Sequence, residues 1–317
     1  MKKIICIVSG FVAFILGIIV VFANYALEMA VHPDDNYGRD IERTYKMVYG
    51  AYPELEQWHD SLVSKGLWRD TILLAEDGSK RHGLILQHDS VPSGASLVIH
   101  GYRDNAPVMM RYVYLHYEVL GRNVIVPEHF GHGESDGDHI RFGWLDRLDI
   151  KQLWIPLAHE LWPDLSIVQH GLSMGGAITM FVSGEDIPDS LNLKSFIEDC
   201  GYTSTWSQLK YNLKEMGSPA FPILHVASIL CKVKYGWSFK ESDAVPQLAK
   251  CQKPMLFIHG DADDFVPTEM VYKNYDAKKN GYKEIMIVPG AAHARSIHNA
   301  WDEYVKQVES FLSKVEQ

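Results

Sequence analysis

The most apolar part of the chain is its N-terminus, where an uncharged run extends from Ile4 to Ala23 directly after Lys2 and Lys3. A helix rises about 1.5 Å per residue, so a run of this length spans the roughly 30 Å hydrocarbon core of a bilayer. The apolar region of a cleaved signal peptide is usually shorter, about 7–15 residues. We therefore expect residues 1–30 to form a transmembrane anchor, with a removed signal peptide as the alternative.

The charges that flank this run predict its orientation. Lys2 and Lys3 lie on the N-terminal side of the run. On its C-terminal side the first charged residues are acidic, and no Lys or Arg occurs between the run and Arg39. Basic residues favour the cytoplasmic side of a membrane. We expect a single-pass membrane protein whose main domain lies outside the cytoplasm.

The pattern then changes, first to a polar-faced helical stretch over residues 31–65, which we expect to link the anchor to the main domain. Eight short strand-like runs follow, at Trp68–Leu74, His82–Gln87, Ser96–His100, Asn123–Val126, Leu165–Gln169, Ser195–Glu198, Met255–His259 and Glu284–Val288. Helical lengths separate most of them, at Val108–Leu120, Leu148–Leu161, Met270–Asn280 and Trp301–Val315. Strands that alternate with helices predict an α/β domain over residues 66–317, with a mostly parallel sheet and helices on both faces.

Residues 202–250 interrupt this alternation, because they fit no single helix and contain Trp206, Pro219, Pro222 and Trp237. They follow the sixth predicted strand. Ligands gather at the carboxyl ends of the strands of an open parallel sheet. We expect this insertion to form a small helical cap over that edge.

Composition excludes several classes of protein. The chain has 317 residues, of which 47% are hydrophobic and 22% charged, as in an ordinary globular protein and unlike a disordered one. Its formal net charge of -10 would repel nucleic-acid phosphates, so we expect no nucleic-acid partner.

The four cysteines form no recognisable framework. Cys6 lies in the apolar N-terminus, and Cys200, Cys231 and Cys251 cannot all pair within one chain. Their spacing fits no zinc site. One bridge, such as Cys231 to Cys251, remains open.

The first candidate for chemistry is Ser173, in residues 171–175, which read Gly-Leu-Ser-Met-Gly. A serine exposed at a sharp strand-to-helix turn needs small neighbours, because the backbone passes close to itself there. A strand-like run precedes the segment and a helical run of small and apolar residues follows it. The five residues alone fit an ordinary turn serine about equally well.

A serine nucleophile needs a general base, and the base needs an acid that orients it. A late predicted strand ends at His259 and is followed by Asp261, Asp263 and Asp264; the next is followed by His293. The chain order Ser, Asp, His is the one found with this type of turn. The combination predicts Ser173 as nucleophile and His293 as base, with the three carboxylates competing for the role of acid.

From about residue 66 to the C-terminus the chain resembles the α/β-hydrolase superfamily, in particular bacterial serine hydrolases similar to prolyl-oligopeptidase-like and cinnamoyl-esterase-like members. Residues 259–267 match the superfamily stretch H-G-x-x-D-x-x-V-P, which implies that Asp263 is the acid. The resemblance implies an α/β-hydrolase fold and acyl transfer to water, with no cofactor and no metal ion.

The oxyanion of such a reaction needs two N–H donors. One is expected from Met174, directly after the nucleophile. The resemblance implies that the second is the N–H of Tyr102, after the strand that ends His100-Gly101. The Tyr102 hydroxyl is a weaker alternative donor, and His100 is expected to support the loop.

Two further segments carry the resemblance. Residues 131–137 resemble a G-H-G-x-S-x-G loop, and residues 143–149 resemble a G-W-x-D-R-x-D stretch. Family members often have Asp-x-Arg before the first of these, where this chain has Glu-His-Phe from Glu128. The role of this loop is therefore open.

The sequence thus predicts a membrane-anchored serine hydrolase, most simply a carboxylesterase acting on small acyl substrates. A serine peptidase or amidase of prolyl-oligopeptidase-like type is the alternative, although the chain has no room for a propeller domain. A membrane-tethered binding module that lost catalysis is the third reading, and the intact set of Ser173, Asp263 and His293 argues against it.

Overall fold

The computed structural model describes residues 1–33 and 38–316. Eight strands form one sheet in the order β1-β2-β4-β3-β5-β6-β7-β8. They are β1 Trp68–Leu74, β2 Lys80–Leu86, β3 Ala95–Ile99, β4 Asn123–Pro127, β5 Ile167–Leu172, β6 Leu193–Asp199, β7 Met255–Gly260 and β8 Lys283–Val288. β2 pairs antiparallel with β1 and β4, and the pairings from β4 to β8 are parallel.

The α-helices in the described ranges are α1 Lys2–Val31, α2 Ile41–Ala51, α3 Glu54–Ser64, α4 Met110–Tyr114, α5 Asp146–Asp149, α6 Ile155–Leu161, α7 Met174–Ser183, α8 Thr205–Glu215, α9 Ile223–Tyr235, α10 Ala244–Lys250, α11 Glu269–Ala277, α12 Ser296–Asn299 and α13 Trp301–Val315. Short 3₁₀ or π segments flank α4 and join α5 to α6. Two apolar clusters, one on each face of the sheet, form the core. The predicted α/β class, the mostly parallel sheet and all eight strands are confirmed.

β5 differs from its prediction, because it begins at Ile167 rather than Leu165 and continues to Leu172. Its last residues stay in the sheet: Gly171 pairs with Ile99 of β3, and Leu172 pairs with Asp199 of β6. The strand therefore runs directly into Ser173, so the site is fixed to the centre of the sheet.

Residues 31–65, expected to link the anchor to the domain, contribute α2 and α3, and residues 34–37 of this stretch lie outside the described residues. Val48 of α2 and Leu55 and Leu62 of α3 are buried in the core cluster on one face of the sheet. Both helices therefore pack on the α/β domain.

α1 is long and apolar enough to cross a membrane, with a mean hydropathy of 3.1 in its most apolar window. Ala23, Leu27 and Val31 are buried against the domain. Residues four apart lie on one face of a helix, so only the last turns of α1 dock through this face. The preceding residues project an exposed apolar surface away from the domain.

The four cysteines, all within the described residues, are free. Cys200, Cys231 and Cys251 are buried. The bridge that the sequence left open between Cys231 and Cys251 is not formed.

Glu128 anchors the loop over residues 128–137, whose role the sequence left open. Its buried carboxylate accepts hydrogen bonds from Ala106 N at 2.9 Å, Glu134 N at 2.7 Å and His82 Nδ1 at 2.8 Å. Gly133 has φ +51 and turns directly over this carboxylate, where a Cβ would overlap it. Where this chain departs from the family pattern, the Glu128 carboxylate thus holds the loop in place through hydrogen bonds.

His82 carries a positive charge in this cluster. Burial lowers the pKa of His82, but the hydrogen bond and charge of Glu128, with Asp70 and Glu134 beside the ring, raise it overall to about 9. An ordinary histidine pKa is about 6.5. The folded-state pKa is therefore raised, so the resulting stability is fully present below about pH 6.5 and is lost as the pH rises through about 9.

We expect His82→Gln to lower the free energy of unfolding by roughly 1.5–3 kcal/mol near pH 6, because hydrogen bonds to charged groups contribute about that much. Near pH 10 the wild-type His82 is neutral, so the difference shrinks. Urea unfolding at the two pH values measures it. His298→Gln, which removes an exposed histidine bonded to Tyr52, is the control. An equal loss at both pH values would contradict the charged state of His82.

Candidate active site

Ser173 occupies a strained turn between β5 and α7. Its φ is +57 and its ψ is -115, a backbone conformation that residues other than glycine seldom adopt. The backbone holds it there, because Ser173 N donates to Asp199 O at 2.7 Å and Ser173 O accepts from Ala177 N at 3.0 Å. This geometry points the side chain out of the carboxyl edge of the sheet.

Glycine is required on both sides of Ser173. A Cβ on Gly171 would overlap the carbonyl oxygen of Gly175, and a Cβ on Gly175 would overlap the carbonyl oxygen of Ile99 in β3. The spacing of the Gly-Leu-Ser-Met-Gly segment thus lets β5, the turn and α7 pack against the neighbouring strand.

The structure brings Ser173 together with the predicted base and acid. The Ser173 hydroxyl is 2.8 Å from His293 Nε2, and His293 Nδ1 is 2.7 Å from Asp263 Oδ2. These side chains come from the ends of β5, β8 and β7, which end at the same edge of the sheet. The arrangement is a continuous hydrogen-bonded chain from hydroxyl to imidazole to carboxylate.

Of the three competing carboxylates, only Asp263 contacts His293. Asp261 instead accepts from Gly290 N at 2.6 Å, and Asp264 accepts a hydrogen bond from the Tyr211 hydroxyl through its backbone carbonyl. Asp261 therefore joins the loops after β7 and β8, and the backbone of Asp264 contacts α8.

Asp263 is held ionised. Burial raises the pKa of its carboxyl, but hydrogen bonds from His259 and His293, the charge of His293 and the N–H of Val266 outweigh burial and lower that pKa well below its usual range. Its Oδ1 accepts from Phe265 N at 3.0 Å and Val266 N at 2.8 Å, leaving Oδ2 for the histidines. A fixed negative charge thus faces Nδ1 of His293.

The two predicted oxyanion donors lie beside Ser173. Met174 is the first residue of α7, and the first N–H groups of a helix have no partner within it. Gly101 lies close to Ser173, since a Cβ on Gly101 would come within 3.4 Å of Ser173 Cβ. This brings the turn containing Tyr102 next to Ser173.

The Tyr102 hydroxyl, the weaker alternative donor, points elsewhere. It donates to the carbonyl oxygen of Ala30 near the end of α1, at 2.7 Å. The hydroxyl therefore ties this turn to the N-terminal helix.

Residues that the sequence did not single out hold the turn after β3. Arg103, at φ +58, donates from its backbone N to His132 Nε2 at 3.2 Å, and its guanidinium donates to Met29 O at 2.9 Å. The G-H-G-x-S-x-G loop thus positions the turn through His132. His100 supports the loop as expected, because its Nε2 accepts from His129 N at 3.2 Å.

Asp104 is a further carboxyl near His293. Burial raises the pKa of Asp104 to about 6, against the lowering effects of the His293 charge and the Gly101 N–H. The hydrogen bond to Gly101 fixes the turn from its other end. No pattern in the sequence marked Asp104, a single aspartate two residues after Tyr102.

A cavity of about 360 Å³ opens onto Ser173. This volume is typical of a small-molecule site. Its walls come from the turn after β3, from α8, from the loop after β7 and from the end of α1. A larger groove of about 1020 Å³ between α8 and α11 contains none of Ser173, Asp263 and His293.

No family model matches this chain. The uncharacterized protein YqkD of Bacillus subtilis is 26% identical over 316 residues, which cover 99% of this chain and 98% of that protein. The uncharacterized membrane protein YNL320W of Saccharomyces cerevisiae is 20% identical over 264 residues, covering 81% of this chain and 86% of that one.

Comparison with solved structures identifies the fold. The Pyrococcus furiosus esterase Pf2001 superposes with a TM-score of 0.61 at 20% identity, covering 78% of this chain and 91% of the esterase. A thermostable carboxyl esterase from Bacillus coagulans superposes with a TM-score of 0.60 at 16% identity, covering 78% and 98%. The chain has the α/β-hydrolase fold.

In this α/β-hydrolase fold the helices between β6 and β7 have two different positions. α8 lines the cavity that contains Ser173, and α9 packs beside α1. α10 instead packs against α7 and α11 in a helical layer of the core. Only some of residues 202–250 therefore lie near the site, because α10 belongs to the helical layer of the core.

The G-W-x-D-R-x-D stretch makes structural contacts in the α/β-hydrolase fold. Asp146 accepts from Gly143 N at 3.1 Å, and Arg147 pairs with Glu185 at 2.8 Å. Asp149 pairs with the buried Arg81 at 2.6 Å. The stretch fixes the segment before α6 to β2 and to the end of α7.

Two side-chain groups in the described ranges have ligand atoms close enough for a metal: Cys200 with Asp263 and His293, and Asp70 with His82 and Glu134. In the first, both Asp263 and His293 take part in the chain that begins at Ser173. In the second, both ring nitrogens of His82 are hydrogen-bonded, Nδ1 to Glu128 and Nε2 to Asp70. Hydrogen bonding thus accounts for the closeness of Asp263 to His293 and of Asp70 to His82.

We expect Gly171→Ala to lower the free energy of unfolding by about 3 kcal/mol, since overpacking in a dense core costs up to that amount and the overlapped atom is backbone. Chemical denaturation measures the loss. The matched control is Gly50→Ala in α2, where a Cβ meets nothing within 4 Å. It should stabilise by roughly 0.5–1 kcal/mol. Equal effects of the two substitutions would contradict the crowding at the turn.

Proposed function

We propose that this protein is a serine hydrolase that cleaves carboxylic esters through an acyl-enzyme on Ser173. The observation that carries the proposal is the hydrogen-bonded chain from Ser173 through His293 to Asp263, at 2.8 and 2.7 Å, opening onto a cavity of small-molecule size. The fold shared with esterases supports it.

In the proposed reaction Ser173 Oγ attacks the ester carbonyl carbon while His293 Nε2 takes the hydroxyl proton. The tetrahedral intermediate collapses, the bond to the alkoxy oxygen breaks, and His293 returns the proton to the departing alcohol. Water then attacks the acyl-enzyme by the same route, giving the carboxylic acid and restoring the serine hydroxyl. Each cycle consumes one water and releases one alcohol and one acid.

Electrostatics support these roles. The imidazolium that forms on His293 faces the ionised Asp263, which stabilises it and holds Nε2 toward Ser173. The developing oxyanion is assigned to the N–H groups of Met174 and Tyr102. The N-terminus of α7 adds the positive end of a helix dipole to the same place.

Esters are favoured over peptides by how much of each solved structure this chain covers. It covers 98% of the Bacillus coagulans carboxyl esterase. The acylaminoacyl peptidase of Pyrococcus horikoshii superposes with a TM-score of 0.57, and this chain covers 43% of it. An aminoacyl anilide tested beside an aryl ester separates the two activities, and faster anilide cleavage would favour the peptidase.

We further propose that α1 anchors the protein in a membrane, with residues 31–317 outside the cytoplasm. The exposed apolar surface of α1 supports the anchor, and the two lysines before it support the orientation. The yeast relative is itself described as a membrane protein.

We expect Ser173→Ala to reduce hydrolysis of p-nitrophenyl acetate by at least about 10⁴-fold, as loss of a catalytic serine does elsewhere. Labelling by a fluorophosphonate probe should disappear with it. Ser183→Ala is the control, because that hydroxyl only donates to Met180 O in the last turn of α7. Retained hydrolysis in Ser173→Ala would defeat the assignment, and wild-type protein that never labels would favour the binding module.

The orientation predicts that alkaline phosphatase fused after Gln317 is active in a bacterial host, because this reporter needs export. Green fluorescent protein at the same position should stay dark. Lys2 and Lys3 set the expected orientation, so changing both to Glu should weaken the preference. A bright fluorescent fusion with an inactive phosphatase would place the domain in the cytoplasm.

A further inference from the structure

The wall of the Ser173 cavity includes the helix that carries the membrane anchor. Phe22, Tyr25, Ala26, Met29 and Ala30 of α1 line the cavity. These positions extend over about 12 Å of helix at 1.5 Å per residue. One face of the same turns docks on the domain through Ala23 and Leu27. The end of the anchor therefore forms one side of the candidate active site.

The opposite wall is also apolar. Leu209, Leu213 and Met216, from α8 and its end, face the cavity together with Tyr102 and Phe142 from the domain. Such a lining offers few polar partners to a hydrophilic substrate, whereas it would bury a hydrocarbon chain favourably.

Charges fix where this cavity lies relative to the apolar surface of α1. The run from Ile4 to Ala23 has no charge, and the first polar contacts of the helix come immediately after it. Lys234 of α9 donates to Asn24 at 2.6 Å and to Glu28 at 2.5 Å. Charged groups concentrate at the polar boundary of a membrane. The cavity, beginning at Phe22, therefore opens at the level where the apolar surface ends.

Exposed apolar side chains continue this surface onto the helices above the site. Met216 and Phe221 are 71% and 73% exposed, and Ile229 and Val233 on α9 are 64% and 78% exposed. α9 packs along α1. Lys232 and Lys240 line the same surface groove as Ile229 and Val233. An apolar surface that adjoins lysines and a membrane-spanning helix is typical of a segment that lies in a membrane interface.

From these contacts we infer that the substrate of Ser173 is a lipid ester that resides in the membrane and enters the cavity sideways along α1. Its hydrocarbon chain lies against Tyr25, Ala26 and Met29, and its ester carbonyl reaches Ser173. The inference rests on the proposed ester hydrolysis and names its substrate class. The bond changes are those given above: the lipid alcohol leaves with the proton from His293, and water supplies the hydroxyl group of the released carboxylic acid and the proton that restores Ser173.

The test uses the full chain reconstituted in phosphatidylcholine vesicles, with p-nitrophenyl acetate and p-nitrophenyl octanoate as substrates. Each buried methylene stabilises by about 0.8 kcal/mol, roughly fourfold, so kcat/KM should be at least about tenfold higher for the octanoate. Ala26→Trp narrows the cavity from α1 and should lower the octanoate-to-acetate ratio of kcat/KM at least about tenfold. Ala13→Trp, the same substitution in the exposed part of the helix, should leave both rates and their ratio unchanged.

A second variant keeps the test independent of folding. Tyr25 is 65% exposed, so Tyr25→Ser replaces part of the apolar wall without opening the core, and the ratio should fall in the same direction. A wild-type preference for acetate, or variants that lower both rates equally, would overturn the inference that the substrate is a lipid ester. Neither result would contradict the proposed ester hydrolysis by Ser173. That proposal fails separately if acetate hydrolysis does not depend on Ser173.

Discussion

The architecture of the site depends on the strained backbone of Ser173. A residue at φ +57 persists only where its surroundings over-determine it. Here the N–H of Ser173 is bonded to Asp199 O in β6, and Gly175 presses against Ile99 in β3. Two neighbouring strands therefore hold the turn from both sides. Because β7 and β8 extend the same parallel sheet, the loops that carry Asp263 and His293 emerge at the edge where the Ser173 side chain points.

Two buried carboxyls near this edge behave oppositely, and their hydrogen bonds explain why. Asp263 accepts from two backbone N–H groups and faces two histidines, so its pKa is lowered despite burial. Glu198 accepts from Gly201 N alone, and burial raises the pKa of its carboxyl to about 8 against the lowering charge of His259. Negative charge is thus concentrated on the carboxylate that contacts the base.

Periodicity and motif spacing were enough to predict the sheet, and they also identified two of the residues that the structure brings together. Strand runs and glycine-bounded turns are local signals, so Ser173 and His293 could be found without knowing any long-range contact. Asp263 was distinguished from Asp261 and Asp264 only by the resemblance to the superfamily. The residues that support the loops could not be predicted in this way. Glu128 bonds Glu134 within its own loop, but its other partners, Ala106 and His82, are distant in sequence. No local sequence signal marks a glutamate that holds a loop in this way.

The contact between α1 and the site could not be predicted from the sequence either, because an apolar run predicts a membrane span that ends before the domain begins. The last carbonyl groups of a helix need partners outside it. On α1 the carbonyls of Met29 and Ala30 find them in the Arg103 guanidinium and the Tyr102 hydroxyl, both in the turn assigned to the oxyanion. A guanidinium at a helix C-terminus also meets the negative end of its dipole. Any tilt of α1 would therefore displace this turn, so the position of α1 and the geometry beside Ser173 cannot vary independently.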